Sequence, residues 1–150
     1  MRAIVQRVSR ASVTVDGEVI GGCEAGLLLL VGVKRGDEAA NSLKLAQKVV
    51  NLRIFNDAEG KMNLSLLDLR ERGIEAGTLA VSNFTVYGDA EKSRRPSFML
   101  SAPYDEGQTL FERFVEDLRS QGVPTQTGQY GAHMEVELVN DGPVTLVVDC

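Results

Sequence analysis

The sequence predicts an α+β protein in one domain, residues 1–150, with a β-rich, barrel-like sheet carrying two main helices. Three observations predict it. Most segments alternate apolar and polar residues with the period of a strand, and only two place apolar residues at helical spacing. The helices also fail to separate the strands regularly, as a doubly wound parallel sheet requires. With 150 residues, 43% hydrophobic and 25% charged, the chain can bury a substantial core.

Residues 2–8 (Ile4, Val5, Val8) and 12–16 (Val13, Val15) alternate, and Asp16-Gly17 within "VDGEV" predicts a turn, so a β-hairpin opens the chain. "GLLLLVGV" from Gly26 predicts a buried strand and falls well short of the ~18 apolar residues of a membrane span. "DEAANSLKLAQKVVNL" from Asp37 predicts a helix, with Leu43, Leu45, Ala46, Val49 and Val50 apolar after two acids that suit a helix start. "RIFNDAEGKMN" reads as a strand and a turn. "LSLLDL", residues 64–69, fits helix or strand.

Thr78 to Gly88, "TLAVSNFTVYG", is dense in β-formers and predicts a strand. Tyr104 to Gly122 predicts the second helix, with Leu110, Phe111, Phe114, Val115 and Leu118 on one face and Gly122 closing it. Residues 134–139 and 143–149 predict two final strands joined by a tight Asp141-Gly142 turn. Pro143 is anomalous there, because it has no N–H where the returning strand should begin to pair. A trans proline on an edge strand accounts for it. So does a cis Gly142–Pro143 bond that turns neighbouring carbonyls outward as rigid acceptors.

The net charge of −5 argues against gripping long nucleic acid by charge alone, but leaves room for a protein that holds only its tip. Arginines scattered through "MRAIVQRVSRASVTV" break the organisation of a signal peptide, and Cys23 and Cys150 lie far apart, which suits a reduced, cytoplasmic setting. His133 is the single histidine, and no Walker A, G-x-S-x-G, H-E-x-x-H or C-x-x-C motif is present. A metal site would have to be built from carboxylates.

"SNFTVYGD" concentrates hydrogen-bonding side chains at the end of an apolar strand. Strand alternation puts Ser82 and Phe84 on one side and Asn83 and Thr85 on the other, with strand-end N–H groups as further donors. A half-exposed strand with a solvated polar face presents the same pattern. "KSRRPSF", Lys92 to Phe98, suits phosphate contacts or a solvated charge run. Arg7 has apolar alternation partners and needs a buried acceptor.

"MRAIVQRVSRASVTVDGEVIG", "NLRIFNDAEGKMNLSLLD", "SNFT", "RRPSF" and "NDGPVT", in this order along the whole chain, resemble the D-aminoacyl-tRNA deacylase family. "SNFT" matches that family's Ser-Gln-x-Thr strand and "NDGPVT" its Asn-x-Gly-Pro-x-Thr segment. The resemblance implies a deacylase-like fold and a cytoplasmic homodimer, with no cofactor, no metal and no membrane. The implied substrate is the 3′ end of an aminoacyl-tRNA. The family hydrolyses the ester of D-aminoacyl-tRNA, and of glycyl-tRNA mischarged on tRNA(Ala). L-residues are rejected by a Gly-cis-Pro motif that each subunit supplies to its partner.

Carried over residue by residue, Ser82, Phe84 and Thr85 fall on the family's catalytic pocket strand. Gly142 and Pro143 fall on its chiral selector, Arg7 on an arginine supporting that selector, and Met134 near the adenosine pocket. Asn83 stands where glutamine is usual and has an open role. Thr85 is a nucleophile in one family view. In the other, backbone N–H groups and the 2′-hydroxyl of the terminal ribose suffice, which the lack of a neighbouring base favours. Lys92, Arg94 and Arg95 are candidate phosphate contacts. Two alternatives share these features: a related deacylase acting on a mischarged L-residue, against which Ser82 argues, and a non-catalytic dimer binding RNA ends.

Overall fold

The computed structural model describes residues 1–91 and 93–150, all but Lys92. Its central element is β1 (Arg2–Val15), whose alternating burial puts Ala3, Val5 and Arg7, and then Ala11, Val13 and Val15, on covered positions. The Asp16-Gly17 turn, with φ of 51° and 83°, returns the chain into β2 (Glu18–Cys23), because both residues adopt the left-handed region that a tight hairpin turn requires. β3 (Gly26–Gly32) pairs antiparallel with the first half of β1, and β2 pairs with the second half. Leu27, Leu29 and Val31 enter one core and Leu28 the other, so β3 is buried on both faces. That explains its unbroken apolar run.

α1 (Ala39–Val50) follows, then a small hairpin of β4 (Phe55–Asn56) and β5 (Met62–Leu64). α1 buries Leu45, Ala46, Val49 and Val50 as expected, but Leu43 is left 41% exposed. Ser42 takes the inward place, donating its hydroxyl to Asp117 of the second long helix at 2.6 Å. The ambiguous "LSLLDL" resolves as α2 (Leu66–Glu71), started by a capping box. The Ser65 hydroxyl accepts the Asp68 N–H at 3.1 Å, and the Asp68 carboxylate accepts the Ser65 N–H at 2.7 Å.

β6 (Gly77–Ser82) lies parallel to β3, and the short β7 (Thr125–Thr127) extends the sheet beyond it. α3 (Tyr104–Ser120) buries Phe111, Phe114, Val115 and Leu118 against the larger core, which α1 also covers. Gln126 of β7 accepts the Gly22 N–H of β2 through its side chain at 2.7 Å. This contact brings the two ends of the sheet together into a nearly closed barrel. No helix among the described residues is long and apolar enough to cross a membrane.

The last element departs from expectation. The final hairpin is one strand, β8 (Glu135–Asp149), antiparallel to β1 along almost its whole length. Gln6 pairs with Thr145 and Val8 with Asn140, so residues 141–144 are extruded where two residues of β1 advance. A bulge in a continuing strand and a hairpin turn present the same flanking alternation. The return partner was in place already, in β1.

Candidate active site

The predicted strand Thr78–Gly88 stops at Ser82. Asn83 donates the last ladder bond, N–H to the Val31 carbonyl at 2.8 Å, and the chain then coils into a 3₁₀ turn, Phe84–Tyr87. The Asn83 side chain causes the change: its carbonyl oxygen accepts both the Thr85 N–H, at 3.1 Å, and the Thr85 hydroxyl. Such Asx capping offers the backbone an alternative to the ladder. The strict alternation of Ser82 and Phe84 against Asn83 and Thr85 therefore fails, and all four line one cleft.

That cleft, of about 830 Å³, opens beyond the carboxyl ends of the parallel strands β3 and β6. Its floor includes Leu30, Val31 and Val81, and its far wall is the Tyr130–Met134 segment. Phe84 is 57% exposed and meets Phe98 edge-on at 5.1 Å, while Ser101 donates its hydroxyl to the Phe84 carbonyl at 2.8 Å. These contacts brace the turn. The Phe84 N–H, first in the 3₁₀ turn, has no carbonyl partner within it and is available as a donor. The Ser82 hydroxyl makes no hydrogen bond among the described residues.

Met134 lies in this cleft, and so does His133, which the sequence alone did not connect to Thr85. Within the cleft the Thr85 hydroxyl points its proton at an amide oxygen, which takes up no proton. Burial and nearby carboxylates push the Tyr87 phenol up to about 12, so it is no base at neutral pH. Burial pushes the Cys23 thiol up to about 11, and it lies in a separate polar groove of about 800 Å³ with Arg10, Glu24, Gln126 and Glu137. Burial raises the Tyr130 phenol as well.

Arg7, Gly142 and Pro143 do not line the cleft. They form a second cluster at the β8 bulge. Arg7 is 6% exposed and donates to the Ile54 carbonyl at 2.5 Å and to the Asp141 carbonyl at 3.3 Å, beside the Asp141 carboxylate at 3.0 Å. Asn140, which the sequence did not single out beyond its place in the motif, closes the bulge. Its amide donates to the Arg7 carbonyl at 2.9 Å and to the Val144 carbonyl at 3.1 Å. The Gly142–Pro143 bond is cis, and both residues are exposed. Pro143 loses no ladder bond, because its segment is out of register with β1. Arg94 and Arg95 are exposed and make no ion pair among the described residues; Lys92 lies outside the described residues.

The family model described as D-Tyr-tRNA(Tyr) deacylase matches residues 4–149. A D-aminoacyl-tRNA deacylase of Thermomicrobium roseum is 54% identical over 99% of this chain and 94% of its own length. One of Geobacter metallireducens is 52% identical over 99% and 95%, and one of Bacillus cereus 48% identical over 99% of each chain. Among solved structures, a c-Myc DNA unwinding element binding protein superposes with a TM-score of 0.91 at 35% identity, covering 100% of this chain and 99% of that one. A probable eukaryotic D-amino acid tRNA deacylase shares the fold, with a TM-score of 0.81 at 16% identity over 99% and 98%. Matched to this family model over residues 4–149 and about half identical to its curated members along nearly its whole length, the chain belongs to the D-Tyr-tRNA(Tyr) deacylase family of hydrolases.

Proposed function

We propose that this protein hydrolyses the ester joining a D-aminoacyl group to the tRNA 3′ end, and that it does so in the cytoplasm as a homodimer. The family match along residues 4–149, with its "SNFT" turn on the wall of a cleft, carries this reading. Water adds to the ester carbonyl, the Phe84 N–H steadies the oxyanion, and the bond to the ribose 3′-oxygen breaks. The departing oxygen takes a proton, leaving a free amino acid and a tRNA with its 3′-hydroxyl. The vicinal 2′-hydroxyl supplies positioned acid-base help, since the Thr85 hydroxyl already gives its proton to the Asn83 amide oxygen. Ser82 binds the aminoacyl end, and Met134 contacts the terminal adenosine. Neither metal nor cofactor enters these steps.

Chirality is read by the main-chain carbonyls of Gly142 and Pro143 from a second copy of the chain. Two features support an acting partner. The exposed bulge lies outside its own cleft. β8 also pairs with β1 along one edge only and leaves Val139, Leu146 and Val147 exposed, at 39%, 37% and 61%. An L-side chain collides with the inserted carbonyls, so selection is by exclusion, and glycine on tRNA(Ala) passes because it has no side chain. Arg94 and Arg95, with Lys92, contact backbone phosphates of the acceptor end.

Incubation with D-tyrosyl-tRNA, alongside light scattering, tests the reading. Release of D-tyrosine by a dimer is expected. Binding without release would favour a non-hydrolytic nucleic-acid-binding protein, a second reading favoured by the name of the 35% identical structure.

A further inference from the structure

Tyr104 is at once exposed and held in place. It begins α3 and remains 57% exposed, yet its ring meets Tyr130 edge-on with centroids 5.1 Å apart and planes at 81°. Two glycines allow this interlock. A Cβ on Gly131 would lie 2.5 Å from the Tyr104 hydroxyl oxygen, and one on Gly107 would lie 2.4 Å from the Tyr130 hydroxyl oxygen. Tyr130 leans further on Phe111, with centroids 6.0 Å apart. The outcome is an aromatic ring held in place yet more than half exposed on the wall of the cleft.

Arg35 lines the same cleft. It is exposed, makes no ion pair among the described residues, and has its main chain tied to Leu100 by an N–H bond of 2.9 Å. Asp105 and Glu106, in the first turn of α3, are exposed beside Tyr104 and repel a phosphate from that side. Met134, the adenosine contact proposed above, comes three residues after Gly131, on which Tyr104 rests. An exposed aromatic ring and an arginine without an ion pair among the described residues, lining one cleft, are the pairing that holds unstacked nucleotides, because every base has a π-face and every linkage a charge.

We propose that Tyr104 stacks on the base of the nucleotide preceding the terminal adenosine and that Arg35 pairs with the phosphate joining the two. The two residues thereby bind the single-stranded tRNA end beyond the nucleoside that carries the ester. This rests on the tRNA-end reading above.

Deacylation of D-tyrosyl-tRNA is compared with that of 3′-O-(D-tyrosyl)adenosine, the same ester without the preceding nucleotide. Tyr104→Ala and Arg35→Ala are expected to raise KM for the tRNA about 5- to 100-fold and to leave the nucleoside ester unaffected. Tyr104→Phe keeps the ring and stays near wild type on both. Arg35→Ala also flattens the dependence of log KM on log salt by about 0.7. An unchanged KM for tRNA overturns the proposal. So does an equal loss on both esters in variants that melt like wild type. Hydrolysis of neither ester by the wild-type protein removes the deacylase reading itself.

Discussion

The Arg7 guanidinium meets the Asp141 carboxylate at 3.0 Å while donating to the Ile54 carbonyl at 2.5 Å, so one buried arginine ties the approach to β4 to the tip of the β8 bulge. Its planar fork serves four acceptors on two segments, the Asn56 side-chain carbonyl among them, which a lysine ammonium cannot do in the same geometry. Asn140 fastens the base of the bulge, and Arg7 fastens its tip.

Arg7→Lys should therefore weaken both stability and selectivity. Loss of the hydrogen bonds to a charged donor costs about 1.5–3 kcal/mol, with the value tempered by the half-exposed Asp141 carboxylate. Thermal melts should show the destabilisation. Paired assays on D- and L-tyrosyl-tRNA should show the D-preference falling about tenfold, as an effect of about 1.4 kcal/mol on discrimination gives. A variant of unchanged stability with undiminished preference would separate Arg7 from the selector.

Gly142→Ala should abolish most activity without unfolding the sheet. A Cβ there lies 2.8 Å from both Arg7 Nη2 and Val144 Cγ2, at a φ of +121° that L-residues rarely adopt. The strain is of order 1–3 kcal/mol and moves the bulge rather than the β1–β8 ladder. Gly60→Ala is the control, since Gly60 also has positive φ, +76°, but open space around its Cβ position. It should cost stability alone, with kcat/KM near wild type.

Thr85→Ala removes a hydroxyl whose proton is given to Asn83, so packing and binding should suffer more than chemistry. The expected loss of stability is about 1 kcal/mol for the hydrogen bond, with KM raised and kcat within a few-fold of wild type. A collapse of kcat with unchanged KM and melting temperature would restore Thr85 as the nucleophile.

Arg94→Glu together with Arg95→Glu should raise KM for D-tyrosyl-tRNA and weaken its salt dependence, because the two proposed phosphate contacts would be lost. The kcat should hold. An unaltered KM at low salt would remove these arginines from the tRNA interface.

Much of the fold was legible because its signals are local. The Asp16-Gly17 turn, the double-sided burial of Leu27–Val31 and the apolar faces of α1 and α3 all follow from pattern and turn chemistry. β7 was not legible, since Thr-Gln-Thr has neither length nor apolar alternation, and it exists only because β6 and Gly22 offer partners. The Ser65–Asp68 capping box was a readable helix start within an otherwise ambiguous run. Periodicity also could not distinguish a hairpin at Asp141-Gly142 from a bulge, because the deciding partner, β1, lies far away in sequence.

At the site, "SNFT" marked four residues that share one cleft, but the alternation expected of them fails. Asn83 ends the strand instead of continuing its alternation, which brings Ser82, Phe84 and Thr85 into one cleft. Tyr104, Tyr130 and Arg35 left no signal as a group, because tertiary packing alone assembles them.

The central claim is that the Asp141–Pro143 bulge reads chirality, and the kcat/KM ratio for matched D- and L-tyrosyl-tRNA measures it most directly. A strong preference for the D-ester is expected, with glycyl-tRNA(Ala) cleaved and L-alanyl-tRNA(Ala) spared. Equal turnover of the D- and L-tyrosyl esters would contradict it.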